Sequence, residues 1–213
     1  MNPSKSRVND RHRYGDTIEE VSVMEMLPQE KSYSLADVLS WPDELRIELI
    51  EGQPVMMSPP KRIHQEISVS IASQLYDFLK DKKCKVFPAP FAVRLFEQAE
   101  DTPKDVETMV EPDITVVCDS DKLDDIGCKG APDLVIEILS DSTKRHDMIT
   151  KFSLYSRAGV PEYWIVDPDG QTVQVFTIEA GQYHAPVAYT STASVPVGVL
   201  PGCVIDLNEV FAG

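Results

Sequence analysis

PDLVIEILSDSTKRHDMITK, residues 132–151, reads as an apolar strand with one carboxylate set inside it, Glu137, followed by a helix. Burying a carboxylate costs several kcal/mol unless a partner or a cation compensates it. The segment DLVIEILS (133–140) is nearly all apolar, as suits a central strand covered on both faces. Ser142 or Thr143 can cap the helix, Met148, Phe152 and Tyr155 form its apolar stripe, and Gly159 stops it.

Working outward, DITVVCD (113–119) is a second apolar, β-branched strand and PEYWIVDPDG (161–170) a third that ends in a turn. TVQVFTIEAGQYHAPVAY (172–189) alternates as a hairpin does, and SVPVGVLPGCVIDLNEVF (194–211) is extended and then a short helix. Upstream, SYSLADVLSWPDE predicts a short helix over about 34–41. RIELIEGQPV predicts a hairpin turning at Glu51-Gly52. KRIHQEISVSIASQLYDFLKDKK carries Ile63, Ile67, Ile71, Leu75 and Phe78–Leu79 at helical spacing, a long helix. CKVFPAPFAVRLF reads as one extended strand whose prolines place it at an edge or a bulge. The order of elements predicts an α/β (α+β) fold, a mixed sheet sandwiched by helices with additional β-hairpins. Residues 1–30 read as a flexible tail or docking arm and residues 31–213 as one domain.

A net charge of −15 argues against a simple nucleic-acid binder, because phosphate backbones favour basic surfaces. It does not exclude a metal-dependent enzyme, whose site is itself built of carboxylates. The stretch 97–125 holds eleven acids and two lysines, and most of them read as a solvated loop and hairpin edge. No apolar run is long enough for a transmembrane helix, and the polar start carries no secretory signal. Cys84, Cys118, Cys128 and Cys203 lie far apart without zinc-finger spacing, and read as free thiols of a cytoplasmic protein.

The chemistry lies in where the acids fall on the strands. Asp113 opens one apolar strand and Glu137 sits inside the next. If the two strands are neighbours, both carboxylates project on one face. Asp133 does not meet Glu137, since four residues of strand span roughly 13 Å. Two close carboxylates repel without a cation and suit Mg²⁺ or Mn²⁺, which prefer hard oxygen donors. Lys151, on the following helix, can reach the mouth of that pair and orient a water or stabilise charge on a phosphodiester. Each residue also has an ordinary role open to it. Lys151 can form an i,i+4 surface pair with Asp147, Glu137 can pair with a buried Arg or His, and Asp113 can cap a strand or turn.

Together, EPDITVV (111–117) and EIL (137–139) resemble the PD…(D/E)xK signature of the restriction-endonuclease-like superfamily. The lysine expected two residues after the acid is Leu139 here; in part of that superfamily it has moved to the next helix, where Lys151 stands. More closely, RIELIEGQPVMMSPPKRIHQEI, EPDITVVCD and GAPDLVIEILSDSTKRHDMITKFSLYSRAGVPEYWIVDP resemble the Uma family, bacterial domains of unknown function assigned as restriction endonucleases, over roughly residues 32–210. The resemblance implies a metal site at Asp113 and Glu137 and a catalytic lysine at Lys151. Glu48, Glu51 and His64 also fall in its pattern. An acid from the first elements would add a carboxylate to the metal shell, and His64 would bind phosphate or a metal-bound water. The bland roles are a turn acid for Glu51 and a helix-start polar residue for His64. Asp147, Tyr155, Tyr163 and Trp164 read as residues that hold helix and strand together.

The leading expectation is a Mg²⁺- or Mn²⁺-dependent endonuclease hydrolysing DNA, working as a homodimer by analogy with enzymes that cut two strands. Its phosphate-facing patch is Lys144, Arg145 and His146, with Lys61 and Arg62. The alternative is a binding or regulatory module with a weak or dead site, drawing DNA affinity from a protein partner. A third reading, an acidic ligand-binding β-rich domain, predicts no metal dependence. Lys151 discriminates the first two: a nuclease needs its ammonium within reach of the two carboxylates.

Overall fold

Alternation along the apolar strands sets the architecture. In the computed structural model, which describes residues 31–42, 44–140 and 147–212, strands β5 (Ile114–Val117) and β7 (Leu134–Ile138) are buried at every position. They pair antiparallel, and β7 pairs parallel with β8 (Glu162–Asp167). β8 continues antiparallel into β9 (Thr172–Glu179), which pairs with both β10 (Gln182–Tyr183) and β11 (Val187–Thr190). With β3 (Lys85–Pro88) on the other edge, the result is a seven-stranded mixed sheet.

Each face of the sheet has its own core. The long amphipathic helix α2 (Arg62–Leu79) buries Ile67, Ile71 and Leu75 against Ile114, Val116, Leu134 and Ile136. The opposite face carries Val117, Val135 and Tyr163, covered by Leu154 and Tyr155 of helix α3 (Phe152–Ala158). Residues of β7 therefore divide by parity, and Glu137 falls on the α3 side with Val135 and Leu139. The expected mixed sheet between helices is what forms.

Three local differences have physical reasons. The extended run after Cys84 is two strands, not one. Its prolines interrupt it at a cis Ala89–Pro90 bond, after which β4 (Ala92–Arg94) leaves the main sheet to pair parallel with β6 (Gly127–Lys129), just past the acidic stretch. The helix after β7 enters through a π-helical turn, Asp147–Lys151, before α3. It ends at Gly159 with φ +80°, where the Val160 amide closes back on the Tyr155 carbonyl at 3.0 Å. Its expected caps, Ser142 and Thr143, lie outside the described residues.

The third difference corrects the free-thiol expectation: Cys84 and Cys118 form a disulfide. The β3–β5 register, Lys85 opposite Val117, sets the residues that flank the pair face to face, which spacing along the chain does not reveal. Cys128 and Cys203 are free and buried. Burial pushes each thiol up to about 11.

The short helix α1 (Leu35–Val38) and the hairpin β1 (Ile47–Ile50)–β2 (Gln53–Met56) precede α2. Chain contacts divide the protein into residues 1–31 and 32–213. Residues 1–30, the expected tail, lie outside the described residues. No helix among the described residues is long and apolar enough to cross a membrane.

Candidate active site

Antiparallel pairing brings the two expected acids together. Ile114 stands opposite Ile136, so one step further along the ladder Asp113 stands beside Glu137. The Ile138 amide donates to Asp113 Oδ2 at 2.7 Å, fixing that carboxylate against the end of β7. The Ala89 amide, next to the cis-proline, donates to the Asp113 carbonyl at 3.0 Å. His64, in the first turn of α2, places Nε2 3.1 Å from Asp113 Oδ2. Asp133 is at the other end of β7, where it accepts from the Cys118 amide at 2.7 Å.

Glu137 is 3% exposed, and what it faces is Lys151 and Tyr155. Lys151 Nζ lies 3.0 Å from Glu137 Oε1, and the Tyr155 hydroxyl donates to the same oxygen at 2.6 Å. Lys151 is itself 3% exposed, so it is not a surface residue. Its ammonium also lies 2.7 Å from Glu48 Oε1, an oxygen that accepts from the Glu111 amide at 2.9 Å. Burial drives the Tyr155 hydroxyl well above its usual range, and the charges of Glu137 and Glu48 add to the effect. It stays protonated and a donor at any working pH.

Glu48, His64, Glu111, Asp113, Glu137 and Lys151 line one cleft of about 540 Å³. Glu48, His64, Glu137 and Lys151 are buried and form its floor. Arg46, Met56 and Pro90 are more exposed and form its rim. Arg46 pairs with Glu111 at 3.0 Å, also in the cleft. Arg46 and Glu48 share a face of one hairpin by alternation, a signal the sequence carries in RIELIEG. The i,i+4 spacing of Lys151 and Tyr155 is a second such signal, since it puts both side chains on one helix face.

Of the other expected residues, Glu51 stands apart. It is exposed, has φ +49°, and takes Arg157 at 2.5 Å beside a different depression. Lys144, Arg145 and His146 lie outside the described residues. Lys61 lines the cleft, and Arg62 pairs with Glu66 on its own helix.

Among the described residues no group of three or more His, Cys, Asp or Glu is placed to hold a metal ion. Mg²⁺ does not need one, as it is commonly held by one or two carboxylates with waters and substrate phosphate completing the shell. Asp113 and Glu137, side by side in the cleft, fit that requirement. Glu48, expected as a possible further carboxylate, lines the same cleft and directs Oε1 to Lys151 and the Glu111 amide.

Residues 35–208 match the model of the Uma2 family, described as "Putative restriction endonuclease". No curated protein matches the chain. Among solved structures, a protein of Anabaena variabilis ATCC 29413, titled a "putative nuclease belonging to DUF820", has a similar fold. The TM-score is 0.66 at 22% identity, over 84% of this chain and 97% of that one.

Proposed function

This chain belongs to the Uma2 family, and from that premise we propose that it is an endonuclease hydrolysing DNA phosphodiester bonds with Mg²⁺ or Mn²⁺ at Asp113 and Glu137. The observation that carries the reading is the buried Lys151 ammonium, 3.0 Å from Glu137 on the floor of the cleft that Asp113 also lines. A lysine kept only for solubility would not be buried there.

In this reading Asp113 and Glu137 hold the cation, which supplies positive charge to the phosphate and acidity to a bound water. Ile138 and His64 fix the Asp113 carboxylate, and Tyr155 fixes that of Glu137. Lys151, held between Glu48 and Glu137, orients the attacking water and balances charge that builds on the non-bridging phosphate oxygens. The water oxygen forms a bond to phosphorus, the bond to one sugar oxygen breaks, and that oxygen takes up a proton. A homodimer would supply a second site for the second strand of a duplex.

One observation favours a second reading, the weak or regulatory module. The net charge is −15, and Arg46 at the cleft is paired with a glutamate. A partner protein would then supply the affinity for DNA. Supercoiled plasmid and single-stranded DNA, incubated with the protein and Mg²⁺ or Mn²⁺ beside Glu137→Ala, decide between them. Metal-dependent cutting that disappears in the variant is expected. No cutting by either at high enzyme and low salt would remove the nuclease reading.

A further inference from the structure

Resting on the assignment of this cleft to phosphodiester hydrolysis, we infer that its apolar wall is a nucleobase subsite and that the strand it takes is unpaired DNA. The reacting groups are at the bottom of the cleft: Glu137 and Lys151 are each 3% exposed and His64 8%. A phosphate must therefore descend between the walls to reach them. In a duplex the phosphates sit on the outside of a stiff rod and the bases are stacked within it. A single strand has free torsions, and can lower one phosphate to the floor while turning its base aside.

The wall beside the floor suits such a base. It is built from the end of β2 and the turn into α2, and is lined by Met56, Met57, Pro59 and Pro60, with Pro90 contributing from the cis-proline turn. Met57 stands opposite Arg46 and so shares the hairpin face of Arg46 and Glu48, which puts an apolar side chain beside the ionic groups of the cleft. The wall is too close to charge for a protein core and has no apolar element over it among the described residues. A nucleotide unites the two chemistries that the cleft presents, a flat weakly polar base and an anionic phosphate.

Charge points the same way. Tracking along a duplex needs a row of unneutralised cations. Among the described residues the cleft's rim cations are Arg46, balanced by Glu111, and Lys61. Binding there draws on base contact and on one or two phosphates at the floor. Sequence-tolerant recognition of single strands works in this manner, by stacking against side chains with local positive charge.

The test is fluorescence anisotropy of one labelled oligonucleotide, single-stranded and as its duplex, with the full chain and Ca²⁺. It is repeated for Met57→Glu, which places a carboxylate on the proposed base wall, and for Met57→Leu. Cleavage of both substrates in Mg²⁺ is measured beside it. The inference expects the single strand to bind at least about tenfold tighter, a difference of ~1.4 kcal/mol. It expects Met57→Glu to weaken that binding about tenfold and Met57→Leu to restore it, with melting temperatures unchanged. The salt slope for the single strand should be shallow, about −1 in log–log form. Equal or tighter duplex binding, duplex-only cleavage, an unaffected Met57→Glu variant, or no binding of either form overturns it. Single-strand binding without any cleavage would keep the subsite and discard the hydrolytic assignment. Duplex-only cleavage would do the reverse.

Discussion

Among the described residues a lysine and an arginine are buried, and each lies against two carboxylates. Lys151 lies between Glu48 and Glu137. Arg94, on β4 and 1% exposed, takes Glu97 through Nε and Asp124 through Nη2, the latter at 2.7 Å. The inventories are alike and the surroundings are not. The lysine's partners line an open cleft and have Asp113 beside them. Arg94 does not line that cleft, and its carboxylates tie β4 to the acidic stretch after β5, where the amides of Ile126 and Gly127 also bind Asp124. A planar guanidinium with a fixed fork suits a permanent clamp, and a compact ammonium on a flexible stem suits work on a substrate. A buried charge alone is thus poor evidence of a site. Access to the charge, with a second acid at the same mouth, is better evidence.

The largest expected contrast comes from removing each cation. Lys151→Met should lower metal-dependent cleavage by about 10²–10³, the range for losing one preorganised charge-stabilising donor. Arg94→Met should leave cleavage within about twofold and instead cost roughly 2–3 kcal/mol in urea unfolding, less than a fully buried pair because Asp124 stays 30% exposed. If Arg94→Met abolished cleavage in folded protein, the division between clamp and site would fail.

A smaller effect is expected at Tyr155. Tyr155→Phe keeps the ring and removes the hydroxyl that binds Glu137. The half-saturating metal concentration should rise about tenfold, as for other partners that orient a ligand. Stability should fall by about 1 kcal/mol for the lost hydrogen bond. Tyr163→Phe, at a neighbouring ring 5.0 Å away, is the control and should leave the metal titration unchanged. Equal titrations for both variants would show that Tyr155 only packs.

Acid sensitivity should separate the clamp from its variant. Burial raises the Asp124 carboxyl, but bonds from Arg94, Gly127 and Ile126 outweigh it and hold the group below its usual value. A depressed folded value contributes stability that is present above the unfolded value near ~3.9 and is lost as pH falls through the folded one. Unfolding free energy of the wild type should therefore fall below about pH 4, and Arg94→Met should flatten that fall. The smallest effect is in thiol labelling. At pH 8, native protein should alkylate slowly at Cys128 and Cys203, whose thiols are held near 11. Non-reducing peptide mapping should recover Cys84 joined to Cys118.

What the sequence determined by itself was local and periodic. The apolar runs at 113–119 and 133–140 announced buried strands, the stripe from Ile63 to Leu79 announced α2, and Gly159 announced a helix end. Glu137 was conspicuous because a carboxylate in an apolar strand requires an explanation, and the motif around Asp113 pointed to the family. Tertiary structure decided which groups meet. The β5–β7 register set Asp113 beside Glu137, and the approach of the β1 hairpin to the helix after β7 gave Lys151 its second carboxylate, Glu48. The same holds for Cys84 with Cys118, and for the strand that breaks at Pro90 to join β6. Periodicity is a property of neighbouring residues, whereas partners distant in the chain are chosen by packing and strand register, which no short window contains.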